Sequence, residues 1–289
     1  MYEQFFGFNE KPFNVTPDSK FFFSSEKHEE ALDSLYYAIH ERLGFAVITG
    51  EIGAGKTTVW HTLMNKLDSA TKVALITNSN LSAKQMLMAI LEDLDVPFKE
   101  SWPKVKLHNA LNRYLLEQIS LGFNVVLIID EAQNLKPSVL EEVRMISNLE
   151  TDKEKLIQIV LMGQPQLRDV LKRRDLEQLR QRISVYFHLY PLTLRETHKY
   201  VQHRLNLAGH TEPGIFDEAA LNAVFAFSEG IPRRINALCD RALLTGFTRG
   251  EKVINVTIIE EAAREINRLM ELGHPGDVPA EETNVLFSF

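Results

Sequence analysis

Several features that define other protein classes are scarce in this sequence. It contains one cysteine, Cys239, so an intramolecular disulfide is excluded and a cysteine metal cluster has no support. No apolar run approaches the length of a membrane span, and the N-terminus lacks the charged-then-apolar layout of a signal peptide. The formal net charge of −7 argues against a protein that coats nucleic acid by charge alone. Together these absences favour a cytoplasmic protein.

The clearest motif is a glycine-rich segment that follows an apolar run. Residues 50–57 fit G-x-x-x-x-G-K-[ST], and residues 45–49 before them have the apolarity and length of a strand. Glycine lets the backbone wrap around an anion, so that N–H groups point at phosphate oxygens and the following helix presents its positive end. The predicted nucleotide-binding residues are Gly50, Glu51, Ile52, Gly53, Ala54, Gly55, Lys56, Thr57 and Thr58.

A second motif ends a continuously apolar segment. Residues 124–129 predict a strand buried on both faces, as in a parallel sheet covered by helices, and Asp130 and Glu131 follow it. Open α/β sheets bind ligands at the carboxyl ends of their strands. We expect Asp130 and the Thr57 hydroxyl to hold Mg²⁺, and Glu131 to orient or deprotonate the attacking water. Lys56 would reach the outer phosphates, so the predicted cofactors are ATP and Mg²⁺.

A polar turn and a basic segment follow the next predicted strand, residues 156–162. If that strand lies between the first and the third, Gln164 would touch the γ-phosphate or the attacking water; a turn residue before Pro165 is the structural alternative. Basic residues then cluster and form a candidate basic patch. They are Arg168, Lys172, Arg173, Arg174, Arg180 and Arg182.

The patterning divides the chain into four parts. Residues 1–24 are rich in aromatic residues and carry glycine and proline, which predicts an extended segment strapped over the core. Residues 25–191 alternate strand and helix patterns and predict an α/β fold, a five-stranded parallel sheet with helices on both faces. Residues 192–272 open with a capping box at Thr193 and predict a small all-helical lid domain. Residues 273–289 lack periodicity and predict a disordered tail.

This set of motifs resembles the AAA+ ATPases of the P-loop NTPase class. More narrowly, it resembles the general secretion pathway protein A family, which includes proteins of mannose-sensitive pilus biogenesis. The narrower resemblance covers about residues 1–272. The segments that carry it are Phe5-Phe6-Gly7-Phe8, Pro12-Phe13, Pro17-Asp18, Gly50 to Thr58, Asp130 to Gln133, Gly163-Gln164-Pro165, Gln181-Arg182-Ile183 and Gly230 to Arg233.

The resemblance implies roles for Gln164, Arg233 and Arg182, and it also implies partners. By similarity, Gln164 matches a first sensor, Arg233 a second sensor in the lid, and Arg182 an arginine finger that reaches the γ-phosphate of a neighbouring subunit. Arg180 is a rival for the finger. Such a finger implies a homo-oligomeric ring whose assembly can depend on nucleotide. The family also implies a protein partner in a secretion, pilus or envelope system, and peripheral attachment to the inner membrane through that partner is an alternative to a free cytoplasmic protein.

The leading interpretation is a magnesium-dependent ATPase that couples nucleotide state to assembly or remodelling of a bacterial secretion, pilus or surface-polysaccharide system. Two alternatives stay open. A DNA-associated regulator, similar to the transposition target-selection ATPases, is motivated by the basic stretch from Arg168 to Arg182. The acidic net charge disfavours nucleic acid as a partner. The other alternative is a nucleotide-gated scaffold that hydrolyses little ATP.

Overall fold

The structure, a computed structural model, describes residues 1–14, 19–152, 154–210 and 214–271. These residues divide into two compact units. One unit contains residues 19–191, and the other contains residues 1–14 together with 192–271. The predicted tail, residues 273–289, lies outside the described residues, as do Pro17 and Asp18. Within the described ranges, no helix combines the length and apolarity needed to cross a bilayer.

The first unit is built on a parallel sheet. Its strands are β1 (Phe45–Gly50), β2 (Thr71–Ile76), β3 (Asn124–Ile129), β4 (Gln158–Gly163) and β5 (Val185–Leu189). Their order is β2-β3-β4-β1-β5, and every neighbouring pair is parallel. The predicted sheet is therefore confirmed. The order also places β4 between β1 and β3, which is the condition on which the expectation for Gln164 depended.

The helices, in chain order, are α1 (Tyr2–Phe6), α2 (Glu26–His40), α3 (Lys56–Lys66), α4 (Ala83–Asp93), α5 (Lys104–Ser120), α6 (Pro137–Ile146), α7 (Gln166–Leu171), α8 (Glu177–Arg180), α9 (Leu194–Leu207), α10 (Glu218–Ser228), α11 (Pro232–Arg249) and α12 (Val256–Glu271). Two of them begin with capping boxes, at Ser82 and at the predicted Thr193. A side chain and a backbone N–H satisfy each other at these ends, which fixes where each helix starts.

Every residue of β1 is buried because helices cover both faces of the sheet. Alternate strand residues point to opposite faces. Phe45 and Val47 pack in one core with α4, α5 and α6. Ala46 and Ile48 pack in the other core with α2 and α3. The continuous apolarity of β1 is thus explained by two cores, and the carboxyl ends of the strands stay free to carry polar loops.

The N-terminal segment differs from the prediction in two ways. Tyr2–Phe6 form helix α1, which ends at Gly7 in the left-handed region (φ 76°), where an extended strap was expected. The first proline comes only at Pro12, so nothing prevents one helical turn before it. The segment also belongs to the helical unit rather than to the sheet: the Phe5 ring lies 5.5 Å from that of Phe247.

A buried arginine fixes this segment within the helical unit. Arg204 on α9 donates from Nε to the Pro12 carbonyl oxygen (2.6 Å) and from a terminal nitrogen to that of Asn14 (3.3 Å). Its other terminal nitrogen donates to the Tyr200 hydroxyl (2.8 Å), which itself donates to Asn236 (2.9 Å). The aromatic rings and this network together attach residues 1–14 to the C-terminal helices.

Candidate active site

The phosphate loop joins β1, which lies between β4 and β5, to α3. Two of its residues, Gly53 (φ 82°) and Gly55 (φ 102°), occupy the left-handed region of backbone conformation that residues other than glycine rarely adopt. Gly50 lies so close to β5 that an added Cβ would be 2.8 Å from the Leu189 carbonyl oxygen. Helix α3 begins directly after Gly55, at Lys56, so its N-terminal N–H groups open into the loop.

A buried histidine on α2 contacts the backbone of the phosphate loop. His28 is buried, and its Nε2 lies 3.1 Å from the carbonyl oxygen of Ala54. Its Nδ1 lies 2.6 Å from the hydroxyl of Ser25, the residue that caps α2. A Cβ added to Gly55 would lie only 2.9 Å from His28 Nε2. Glycine at 55 is therefore required both by φ and by this close approach.

The Lys56 ammonium lies inside the loop. Its Nζ donates to the carbonyl oxygens of Gly50 (2.7 Å) and Glu51 (3.0 Å), and the residue is only 7% exposed. Burial lowers the pKa of Lys56, although the charges of Glu131, Asp130 and Glu51 oppose that change. An ammonium has three N–H donors, and these two bonds use two of them. One donor stays available for an anion in the loop.

The two acids after β3 occupy different environments. Asp130 accepts a hydrogen bond from the Glu131 N–H (2.8 Å), and burial raises the pKa of Asp130, with a further contribution from the Glu131 charge. Partial burial acts to raise the pKa of Glu131 as well. Hydrogen bonds from Gln133 and Gln164, with the charge of Lys56, outweigh that effect, so the Glu131 pKa is lowered. Glu131 is thus held in its ionised form.

Two glutamine side chains fix the Glu131 carboxylate. Gln164 donates to Glu131 Oε2 (3.0 Å) from the tip of β4, and Gln133 donates to the same oxygen (2.5 Å). Gln133 Oε1 in turn accepts the Gln164 N–H (2.9 Å). Gly163 allows this approach, because an added Cβ there would lie 2.7 Å from Gln133 Oε1. The strand order therefore brings Gln164 to Glu131.

These residues fit a nucleotide with a magnesium ion. Left-handed glycines are typical of loops whose N–H groups face an anion, and Lys56 adds a cation. The exposed Thr57 and Asp130 carry the kind of oxygen atoms that Mg²⁺ prefers and would be its ligands. When bound, the ion would neutralise charge on the phosphates. Glu131, held by two amides, is positioned to accept a proton from water. Ile52 and Glu51 are exposed at the loop's outer turn, and Thr58 is half-buried in α3.

The three predicted arginines are carried by other elements of the fold. Arg182 is half-buried and lies between α8 and β5, and Arg180 is exposed at the end of α8. Arg233 is exposed in the first turn of α11, in the helical unit. Their roles as finger and second sensor stay predictions.

Sequence reasoning assigned no role to His28 or Gln133, although both contact the site directly. Gln133 has a local signal, since it follows Glu131 by two residues on the same strand-end loop. His28 has none, because its contact with Ala54 joins residues 26 positions apart. Only the packing of α2 against the loop reveals it.

The strand order and the phosphate loop are those of the P-loop fold of the AAA type. Residues 39–171 match the family model of the AAA domain, which confirms the expected class. Among solved structures, Cdc6p from Pyrobaculum aerophilum aligns with a TM-score of 0.68 over 90% of this chain and 75% of its own, at 19% identity. The predicted fold class is likewise confirmed, and this fold implies nucleotide binding.

The resemblance to general secretion pathway protein A is confirmed as well. This chain is 41% identical to the protein of that name from Aeromonas hydrophila over 273 residues, which is 94% of this chain and 50% of that protein. The chain thus spans about half the length of this relative. An uncharacterized HTH-type transcriptional regulator of Methanocaldococcus jannaschii is 24% identical over 310 residues, covering 92% of this chain and 73% of that protein.

Proposed function

We propose that this protein is a magnesium-dependent ATPase that couples its nucleotide state to assembly or remodelling of a secretion, pilus or surface-polysaccharide system. The convergence of Lys56, Glu131 and Gln164 at the strand ends is the observation that supports hydrolysis. The similarity to general secretion pathway protein A supports the choice of system. In this proposal the helical unit acts as a lid, with Arg233 as its sensor of nucleotide.

Turnover of the Glu131→Gln variant tests the proposal. The amide keeps the shape of the side chain but cannot take a proton, so we expect ATP to bind with near-normal affinity while turnover falls about 10²–10⁴-fold. Glu92→Gln is the matched control, because Glu92 is an exposed glutamate on α4. Near-normal hydrolysis by Glu131→Gln would remove Glu131 from the chemistry. Negligible hydrolysis by the wild type would instead favour the nucleotide-gated scaffold.

We further propose that the active site is completed between subunits of a homo-oligomer, with Arg182 as the group supplied in trans. Hydrolysis spreads negative charge over the transferred phosphoryl, and an added cation stabilises it by a factor of about 10³ or more. Arg182→Ala should lose activity, and mixing it with Glu131→Gln should restore part of it, because intact Arg182 would then face intact Glu131. The same mixing experiment with Arg180→Ala in place of Arg182→Ala shows which of the two arginines acts in trans. Mass measurement with and without ATP shows whether the protein assembles.

A DNA-associated regulator is the second candidate. It is favoured by the exposed basic residues of α7 and α8, among which Arg168 and Arg180 have no ion pair or side-chain hydrogen bond within the described part of the chain. Phosphate contacts make affinity fall steeply with salt. ATP-dependent binding to duplex DNA at low salt, lost as salt rises, would support this candidate. A lack of DNA binding at low salt would exclude it.

A further inference from the structure

A second concave site lies in the sheet unit beside the phosphate loop. It has a volume of about 750 Å³, within the range of about 300–1,000 Å³ usual for small-molecule sites. Its wall consists of residues in or next to the loop, α7, α8 and the edge strand β5. They are Glu51, Pro165, Arg168, Leu171, Lys172, Arg180, Ile183, Tyr186, His188 and Tyr190. We call it the β5 pocket.

The pocket exists because the sheet face is left uncovered at its edge. Strand β5 is the edge strand beside β1, and its residues alternate between the two faces. Val185 and Phe187 pack with α2 on one face. Tyr186 and His188 point to the other face, where they line the cavity together with residues of the short helices α7 and α8.

Three cations and one carboxylate line the β5 pocket, so its charge is positive. In the described part of the chain, the Arg168 and Arg180 guanidinium groups have no carboxylate partner, and Lys172 has only an exposed contact with Asp169 (3.3 Å). A guanidinium presents several N–H donors in a planar fork that matches a phosphate. The cations of this pocket are therefore available to an anionic ligand.

Aromatic and apolar side chains form the rest of the wall. Tyr186 and Tyr190 are 45% and 58% exposed, and the rings of His188 and Tyr190 meet edge to face at 4.5 Å. Leu171, Pro165 and Ile183 add apolar surface. Burial lowers the pKa of His188, so this ring is neutral at physiological pH. Exposed aromatic faces are surfaces on which a planar ring can stack.

We propose that the β5 pocket binds a phosphate monoester that carries an aromatic ring, with Arg168, Lys172 and Arg180 on the phosphate and Tyr190 against the ring. A phosphate monoester carries about −1.5 to −2 charges at neutral pH, which suits the excess of cations. The pocket shares only Glu51 with the phosphate loop, and Lys56, Asp130 and Glu131 do not line it. It is therefore adjacent to the phosphate loop but distinct from the cluster of Lys56, Asp130 and Glu131.

The pocket is also connected to the loop. The Thr49 hydroxyl lies 2.9 Å from the Tyr186 hydroxyl and 2.9 Å from His188 Nδ1, and Thr49 directly precedes Gly50. A ligand that contacts Tyr186 or His188 acts on side chains that hold the end of β1. Binding measurements should therefore be made with and without nucleotide in the loop.

Calorimetric titration with three probes tests the proposal: adenosine 5′-monophosphate, phenyl phosphate and inorganic phosphate. We expect the two aromatic esters to bind wild-type protein that is saturated with ADP and Mg²⁺, and inorganic phosphate to bind more weakly. Arg168→Ala should weaken both esters by roughly tenfold or more. Arg174→Ala is the matched control, since Arg174 is exposed on the same segment but does not line the pocket, and it should bind as the wild type does.

Tyr190→Ala separates recognition of the ring from that of the phosphate. It should weaken the aromatic esters by roughly tenfold, as expected for loss of a stacking surface, and leave inorganic phosphate unchanged. The proposal is overturned if ADP abolishes ester binding, which would assign the esters to the phosphate loop, or if Arg168→Ala binds as the wild type does. If single-stranded oligonucleotides bind but neither ester does, the proposal is wrong and the pocket is part of a nucleic-acid-binding groove.

Discussion

Each unit of the protein buries a basic side chain against backbone carbonyl oxygens. In the sheet unit, Lys56 is 7% exposed and donates to Gly50 and Glu51. In the helical unit, Arg204 is 5% exposed and donates to Pro12 and Asn14. The two sites use the same kind of contact in different surroundings.

Lys56 and Arg204 differ in the groups that surround each charged side chain. Lys56 lies in an open loop, with Asp130 and Glu131 near enough to act on its pKa and one donor left for a ligand. Arg204 is enclosed by the N-terminal segment and by Tyr200, so its contacts hold chain segments together. A buried cation therefore indicates ligand binding where acids and an open loop surround it. A buried cation indicates a structural role where its partners are groups of chain segments that it holds together.

Among the variants that test this comparison, Lys56→Met should give the largest effect on activity. Loss of the cation removes stabilisation of charge that develops on the phosphates, so ATP turnover should fall about 10²–10³-fold or more. The free energy of unfolding should stay within about 1 kcal/mol of the wild type, because a partly desolvated charge is removed with it. Turnover assays and urea denaturation measure the two quantities. Lys66→Met, at the exposed end of the same helix, is the control and should change neither.

Arg204→Met should give the opposite pattern. The Pro12 carbonyl oxygen would lose its partner in a buried site, which should cost about 1–3 kcal/mol in free energy of unfolding. ADP affinity, measured well below the unfolding transition, should be unchanged. The control is Arg195→Met, because Arg195 is exposed on the same helix. If Arg204→Met were as stable as Arg195→Met, the structural role given to Arg204 would be wrong.

Most of the sheet unit could be predicted from the sequence because its signals are local. Continuous apolar runs mark β1 and β3, and the glycine spacing marks the loop between β1 and α3. The contacts of His28 and Arg204 could not be predicted, since each joins segments that are distant in sequence. The N-terminal helix was missed for another reason: glycine and proline content was averaged over residues 1–24, whereas a single turn needs only five residues without proline.

Gln133→Ala should give a smaller effect at the Lys56 site. The Glu131 carboxylate would lose one of the hydrogen bonds that lower its pKa, so the acid limb of the pH–rate profile should move to higher pH. Turnover near neutral pH should fall several-fold, because Gln164 alone would hold the carboxylate. Gln166→Ala, exposed on α7, is the control. A profile that does not move would show that Gln133 does not act through Glu131.

The smallest effect is a pH dependence of stability that only Lys56 should show. Burial lowers the pKa of folded Lys56, whereas an unfolded lysine titrates near about 10.4. Between these two values the unfolded state binds more protons, so the free energy of unfolding rises with pH. Wild-type protein should therefore gain stability relative to Lys56→Met as pH rises through the folded pKa of Lys56 towards the unfolded value near about 10.4.

The difference in free energy of unfolding between wild type and variant is the quantity to measure, because the titration of groups that both proteins share cancels in it. Arg204→Met should show no such trend in the same window, because a guanidinium stays charged throughout it. Saturating ADP should suppress the Lys56 trend, since phosphate beside the ammonium favours its charged form and raises its pKa. A trend that persists with ADP would mean that nucleotide does not reach Lys56. The assignment of Lys56 as a cation open to ligand, in contrast to the enclosed Arg204, would then be wrong.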